Sequence, residues 1–325
     1  MGNIAFLHEL KTTMFWHIEY NAGKAYSEEI RGNFLNRTHG AEGMNETAKS
    51  FLVLKGEDRR RIKNENALMF ANGYKPELMA PAFNKVVVAQ DGWSGFWRNL
   101  EADDQVINCI SVNGPITRNG GGCSMGSIEV RDAMIFAANQ QQTVGHILYI
   151  DSCGGASSSS YDFEQGINAA RMKQQPVIAL VDGDCCSAAL HLAAMCDEIY
   201  YMHPKNRIGS IGTMAAFFTM RDGDRNTVTQ EVYHERYADV SMDKNKMFRD
   251  ASDMKMDEID ELINENAREF AEHMKALKPK TPKELLTGRV ITCEEAEKFW
   301  TKGQNDLNGC IKRTLELRNK IQRNK

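Results

Sequence analysis

From residue 105 onward, runs of consecutive apolar residues alternate with stretches of helical periodicity. Gln105 to Thr117 (Q-V-I-N-C-I-S-V-N-G-P-I-T) predicts a strand ending in a turn at Asn113-Gly114-Pro115. Gly145 to Asp151 (G-H-I-L-Y-I-D) and Pro176 to Val181 (P-V-I-A-L-V) are short apolar runs of the kind buried on both faces of a parallel sheet. Between them, Ile128, Ala133, Met134, Ile135 and Ala138 recur with helical spacing behind a capping Ser127. A second helix runs through Phe163, Ile167, Ala170 and Met172, and a helix of small residues spans Ser187 to Cys196 before a strand at Glu198 to Met202. Strand, turn and helix in repetition predict an α/β fold with parallel strands and right-handed crossovers. Sites in such folds lie at the C-terminal strand ends. Here those ends are 151–155 and 182–187, both rich in Gly and Ser.

The pattern changes after Thr213. Met214 to Met220 and Asn226 to Tyr233 suit strands, and Met256, Ile259, Leu262, Ile263, Phe270, Met274 and Leu277 mark an amphipathic helix over 254–278. Thr292 and Glu295 have capping-box spacing for a helix through Phe299 and Trp300. The first hundred residues are different. Asn21 to Asn66 is polar and carries the run Glu57-Asp58-Arg59-Arg60-Arg61, read as a solvated helix face rather than a phosphate contact. Asn84 to Ala89 holds V-V-V-A, a candidate strand. The expected organisation is an N-terminal, partly helical extension at 1–103, a core domain at 104–310 and a basic tail at 311–325.

Composition narrows the function classes. With 42% hydrophobic and 26% charged residues among 325, the chain has the make-up of a folded globular protein, not a disordered or collagen-like one. A net charge of −4 gives no basic field for nucleic acid. The most apolar stretch, Pro176 to Tyr201, is broken by Asp182, Asp184, His191, Asp197 and Glu198, so no membrane span is expected, and residues 1–20 do not read as a secretory signal. The eight cysteines include no C-x-x-C pair and read as reduced, mostly buried thiols rather than a zinc or disulfide framework.

Ser187 follows a strand and a tight turn and opens a helix. There it is either an N-cap or a nucleophile in the field of a helix N-terminus. Gly154 and Gly155 follow a buried strand, as an ordinary turn or as main-chain donors of an oxyanion hole. A nucleophilic serine needs a base. The candidates are His191, one turn on; His203; and Lys244 or Lys246 in S-M-D-K-N-K, the lysines working only if burial keeps one uncharged.

The run V-D-G-D-C-C-S-A-A-L-H-L-A-A-M-C-D-E-I-Y (181–200), followed by I-G-S-I-G-T (208–213), resembles signal-peptide-peptidase-A-like serine peptidases, a family that includes phage head-maturation proteases. D-S-C-G-G (151–155) resembles its S-P-G-G turn, N-G-P-I-T (113–117) its first core strand and turn, and L-T-G-R-V-I-T-C-E-E-A (286–296) its late segment, all in the family's order. The resemblance implies a Clp-protease/crotonase-like spiral of ββα units. It also implies a serine–lysine dyad of Ser187 and Lys244, with Lys246 and His191 as alternative bases. Gly154, Gly155 and Ala188 fall on the oxyanion hole. The implied activity is endopeptidase cleavage by acyl transfer, without metal or organic cofactor, by a homo-oligomer acting on polypeptide, in the cytoplasm or on a virion. Cys153 stands where the family has proline, and Cys185 and Cys186 stand where it has small residues. A non-catalytic assembly protein and a crotonase-like acyl-CoA enzyme are the other readings that the same fold allows.

Overall fold

The computed structural model describes residues 15–18, 86–90, 105–120, 126–217, 221–226 and 230–323. The charge run at 57–61, the expected helices of the extension and the middle of the glycine-rich 118–126 loop lie outside them.

In chain order the elements begin with β1 (Phe15–Ile18), β2 (Val86–Gln90) and β3 (Gln105–Asn113). They continue through α1 (Ser127–Ala138), β4 (Thr143–Ser152), β5 (Gly154–Ala156), α2 (Ser159–Met172), β6 (Val177–Cys186) and α3 (Ala188–Met195). Then come β7 (Glu198–Tyr201), β8 (Arg207–Gly209), β9 (Met214–Ala215), α4 (Lys246–Ser252), α5 (Asp257–Leu277), β10 (Val290–Thr292) and α6 (Leu307–Arg323).

A seven-stranded sheet runs in the order β10-β8-β6-β4-β3-β2, with β7 paired to the first half of β6. Every pairing in it is parallel except β8 with β10. Alternate strand residues feed two cores. Ile110, Val112, Leu148, Ile150, Ala179 and Val181 pack with α1, α2, α3 and α5 on one face. Ile107, Cys109, Ile147, Tyr149, Ile178 and Leu180 pack with Leu307, Cys310 and Ile311 of α6 on the other. Burial on both faces is why these strands appear as unbroken apolar runs. A smaller antiparallel sheet has the order β5-β1-β9.

Several expectations need correction. The region set apart as an extension supplies β1, paired into the small sheet, and β2, paired to β3 in the seven-stranded sheet. The stretch 311–325 is largely α6, whose Cys310, Ile311 and Thr314 are buried. Ser127 is the first residue of α1 rather than its cap, and its hydroxyl donates to Asp162 on α2 at 2.6 Å. Strand β9 is two residues long, and of the strand expected at Asn226–Tyr233 the described residues show only an isolated antiparallel bridge between Arg225 and Val232, with 227–229, like 218–220, outside the described residues. Thr292 and Glu295 do form reciprocal capping bonds, at 2.9 and 3.3 Å, but the turn they start is 3₁₀ and ends at Lys298.

Candidate active site

Strand β6 delivers the chain to Cys186, and Ser187 turns it into α3 with φ 57° and ψ −120°. A residue bearing a Cβ rarely adopts such a conformation, which costs on the order of 1–3 kcal/mol and persists only where the surroundings fix it. Two main-chain bonds do so here. The Ser187 N–H donates to the Gly209 carbonyl at 2.8 Å, and the Ser187 carbonyl accepts the His191 N–H at 2.9 Å. Cys185 and Cys186 beneath it are wholly buried, and burial pushes the Cys185 thiol far above its ordinary range. All seven cysteines among the described residues are buried, and none of them is in a disulfide.

Ser187 occupies the cap position of α3 without capping it. Its hydroxyl is fully buried and has no hydrogen-bond partner. A buried hydroxyl left unbonded is destabilising by about 1–3 kcal/mol. Strain and an unspent hydroxyl therefore coincide at one residue, at the positive end of a helix where negative charge is favoured.

The glycine turn is equally constrained. Gly154 has φ 96°, and its N–H donates to the Ser152 hydroxyl at 3.2 Å, while that hydroxyl donates to the Gly114 carbonyl at 2.6 Å. Gly154 is thus committed to holding the turn. Gly155 lies so close to the preceding loop that a Cβ there would sit 1.8 Å from the Ile116 carbonyl oxygen. The Ile116 N–H donates to the Gly154 carbonyl and the Ala156 N–H donates to the Ile116 carbonyl, both at 2.8 Å. Because successive residues of a strand present their N–H and C=O to opposite edges, those of Gly155 face away from Ile116. Ala188, as the first residue of α3, has no acceptor for its N–H within the helix.

None of the four candidate bases is hydrogen-bonded to Ser187. Lys244 is exposed, between a 3₁₀ turn at Asp239–Ser241 and α4. Lys246 donates to Asp250 at 2.6 Å and to Glu258 at 2.7 Å, and these carboxylates hold its ammonium well above the ordinary lysine range. A lysine so paired is charged and cannot accept a proton. The His191 ring is buried against Phe270, 5.0 Å between centroids, and His273, 5.5 Å, both on α5. His203 is exposed in the turn after β7.

Two contributors escaped the sequence reading, although both lie inside motifs that it singled out. Ser152, in D-S-C-G-G, ties the glycine turn to the end of β3, and Gly209, in I-G-S-I-G-T, accepts the Ser187 N–H. Among the described residues no His, Cys, Asp and Glu cluster could hold a metal ion, and no helix is long and apolar enough to cross a membrane.

Residues 169–299 match the model of peptidase family S49, a stretch that includes Ser187, both lysines and the late Gly288-Arg289 segment. This bears out the resemblance to the signal-peptide-peptidase-A-like family over that part of the chain. The head-tail preconnector protein GP5 of Enterobacteria phage P21 is 34% identical over 119 residues, covering 34% of this chain and 23% of that protein. The chain therefore spans less than a quarter of the length of this curated relative. Among solved structures, a mutant of the 1510-N membrane-bound stomatin-specific protease aligns with 64% of this chain and 84% of its own at 15% identity and a TM-score of 0.39. A ClpP1 mutant from Listeria monocytogenes aligns with 62% and 93% at 10% identity and a TM-score of 0.38.

Proposed function

We propose that the chain is a serine endopeptidase in which Ser187 attacks a peptide carbonyl. The observation that carries this reading is the strained, non-capping Ser187 with its unbonded hydroxyl, inside the segment that matches a peptidase family. Lys244 takes the Ser187 proton. The Oγ–carbon bond forms, and the oxyanion is held by the N–H groups of Gly155 and Ala188. The lysine then returns the proton to the leaving amine, and water releases the acyl group. Gly154 acts one step back, by fixing Gly155.

A lysine works as a base only when desolvation or neighbouring charge lowers its pKa. Lys244 is exposed within one chain, and the segment around it displays Val240, 96% exposed, Met242, 63%, and Met254, 77%. Large apolar side chains at that exposure mark a contact surface. We infer that assembly of several copies buries this segment and brings Lys244 to a Ser187. The substrate class that goes with this reading is a phage capsid or scaffold protein, in keeping with the phage origin of the head-tail preconnector relative.

A fluorophosphonate probe followed by intact-mass measurement and peptide mapping tests the reading. Wild type should slowly gain one adduct at residue 187, and Ser187→Ala none. An adduct retained by Ser187→Ala would sink it. The buried Ser187 hydroxyl without a bonded base favours one rival, a non-catalytic assembly protein on the same fold. That rival requires no adduct and no peptide hydrolysis at any protein concentration.

A further inference from the structure

The small sheet raises a separate question, because its middle strand comes from far away in sequence. Strand β1 runs antiparallel to β5, with Trp16 opposite Ala156, His17 opposite Gly155 and Ile18 opposite Gly154. Its other edge runs antiparallel to β9, with Phe15 opposite Ala215 and Trp16 opposite Met214. Both borders of this gap are tied to the serine turn. Ser152, just before β5, pairs with Cys185, two residues before Ser187. Gly209, five residues before β9, accepts the Ser187 N–H. A strand in this gap is therefore registered directly against the turn. The edge of Gly155 that faces away from Ile116 is the edge along which β1 lies. The main-chain donor assigned above to the oxyanion is thus turned toward β1.

We propose that the gap between β5 and β9 is a slot that reads the main chain of one extended peptide, and that residues 15–18 fill it as a plug supplied by the chain itself. The slot adds a strand by backbone hydrogen bonds, a mode that selects extended conformation before side chains. With the plug seated, Ser187 has no exposed surface, as the proposal requires. A second peptide enters only from the unplugged state, so reactivity at Ser187 scales with the fraction of chains in which β1 has left. The inhibitory part rests on the peptidase reading; the occupancy of the slot does not.

The test uses the full chain and His17→Pro. Proline removes the N–H that the register aims at Gly155, and a central strand does not tolerate it. Two measurements are made on each protein: hydrogen exchange at Gly155 and Met214–Ala215, and the rate of fluorophosphonate labelling. The expected result is lost protection at those amides with labelling faster by about tenfold or more. A synthetic peptide of residues 12–21 added to the variant should restore protection and slow labelling, which also guards against a variant that is merely unfolded. Unchanged protection in His17→Pro, or no restoration by the peptide, overturns the slot. Lost protection with equal, rapid labelling of both proteins overturns the plug. Lost and peptide-restored protection in a chain that never labels upholds the occupied slot and removes the peptidase reading instead.

Discussion

The turn at Ser187 and the segment around Lys244 are built in opposite ways. Around Ser187 every neighbour is buried, the main chain is bonded on both sides, and a strained φ is held without a side-chain bond. Around Lys244 the chain runs through a 3₁₀ turn and a left-handed Asn245 into a seven-residue helix with only Ala251 buried. The contrast teaches that one folded chain fixes the proposed nucleophile and its donors, while the proposed proton acceptor sits on the surface beside a small satellite cluster around Ala251 and Ile259. Precision in the first region comes from packing, and in the second it has to come from outside.

The largest effect that sharpens this contrast is on chemistry. Ser187→Ala should lower peptide hydrolysis by about 10⁴-fold or more with the fold intact, checked by turnover alongside circular dichroism. Next comes the base. Lys244→Ala should lower the rate by about 10²–10⁴-fold, the range for general base catalysis. Lys246→Ala, which removes only an exposed ion-pair partner, should change it by less than about threefold. Equal losses in the two variants would erase the distinction between them. The wild-type rate per chain should also rise with protein concentration if assembly covers Lys244, and a flat dependence would place the base within one chain.

Two smaller effects probe the rigid side. His146 is wholly buried beside Asn108 and Gln175, and burial lowers its pKa from 6.5 to about 4. The unfolded chain therefore binds a proton between those values and the folded chain does not. Stability from this group is complete above pH 6.5 and declines toward pH 4, by about 3 kcal/mol in all. Urea midpoints of wild type and His146→Asn measured across that window should diverge, with the variant less sensitive to acid. Finally, Ser187→Gly should be more stable than Ser187→Ala by about 1 kcal/mol, because glycine relieves the left-handed strain. A more stable alanine variant would mean that the turn is not strained.

Much of this was legible in the sequence for physical reasons. Strands buried on both faces write themselves as V-I-A-L-V, and α5 shows its apolar stripe at Ile259, Phe270 and Met274. What stayed hidden depends on partners distant along the chain. Asp182-Gly183-Asp184 reads as a turn, yet β6 continues through it because Asp184 pairs with Arg207 of β8, its carboxylate bonded at 2.8 and 2.5 Å. The basic charges of 311–325 masked the spacing of Leu307, Cys310, Ile311 and Thr314, which is the stripe of a packed helix. At β1, F-W-H-I carries no turn signal on either side, and only the edges of β5 and β9 reveal where it belongs. Lys244 and Lys246 differ by two positions and share a polar setting, so only the carboxylates around Lys246 tell them apart.

Helix α6 has a bearing on the order of events during synthesis. It is the lid of the lower core, yet the ribosome makes it long after the strands whose side chains it shields. Until it emerges, Ile107, Ile147 and Ile178 have water or a chaperone for company, and the sheet beneath Ser187 is unfinished. A growing chain therefore carries an open apolar face until translation has passed residue 311, a delay that the order of elements imposes with no added factor.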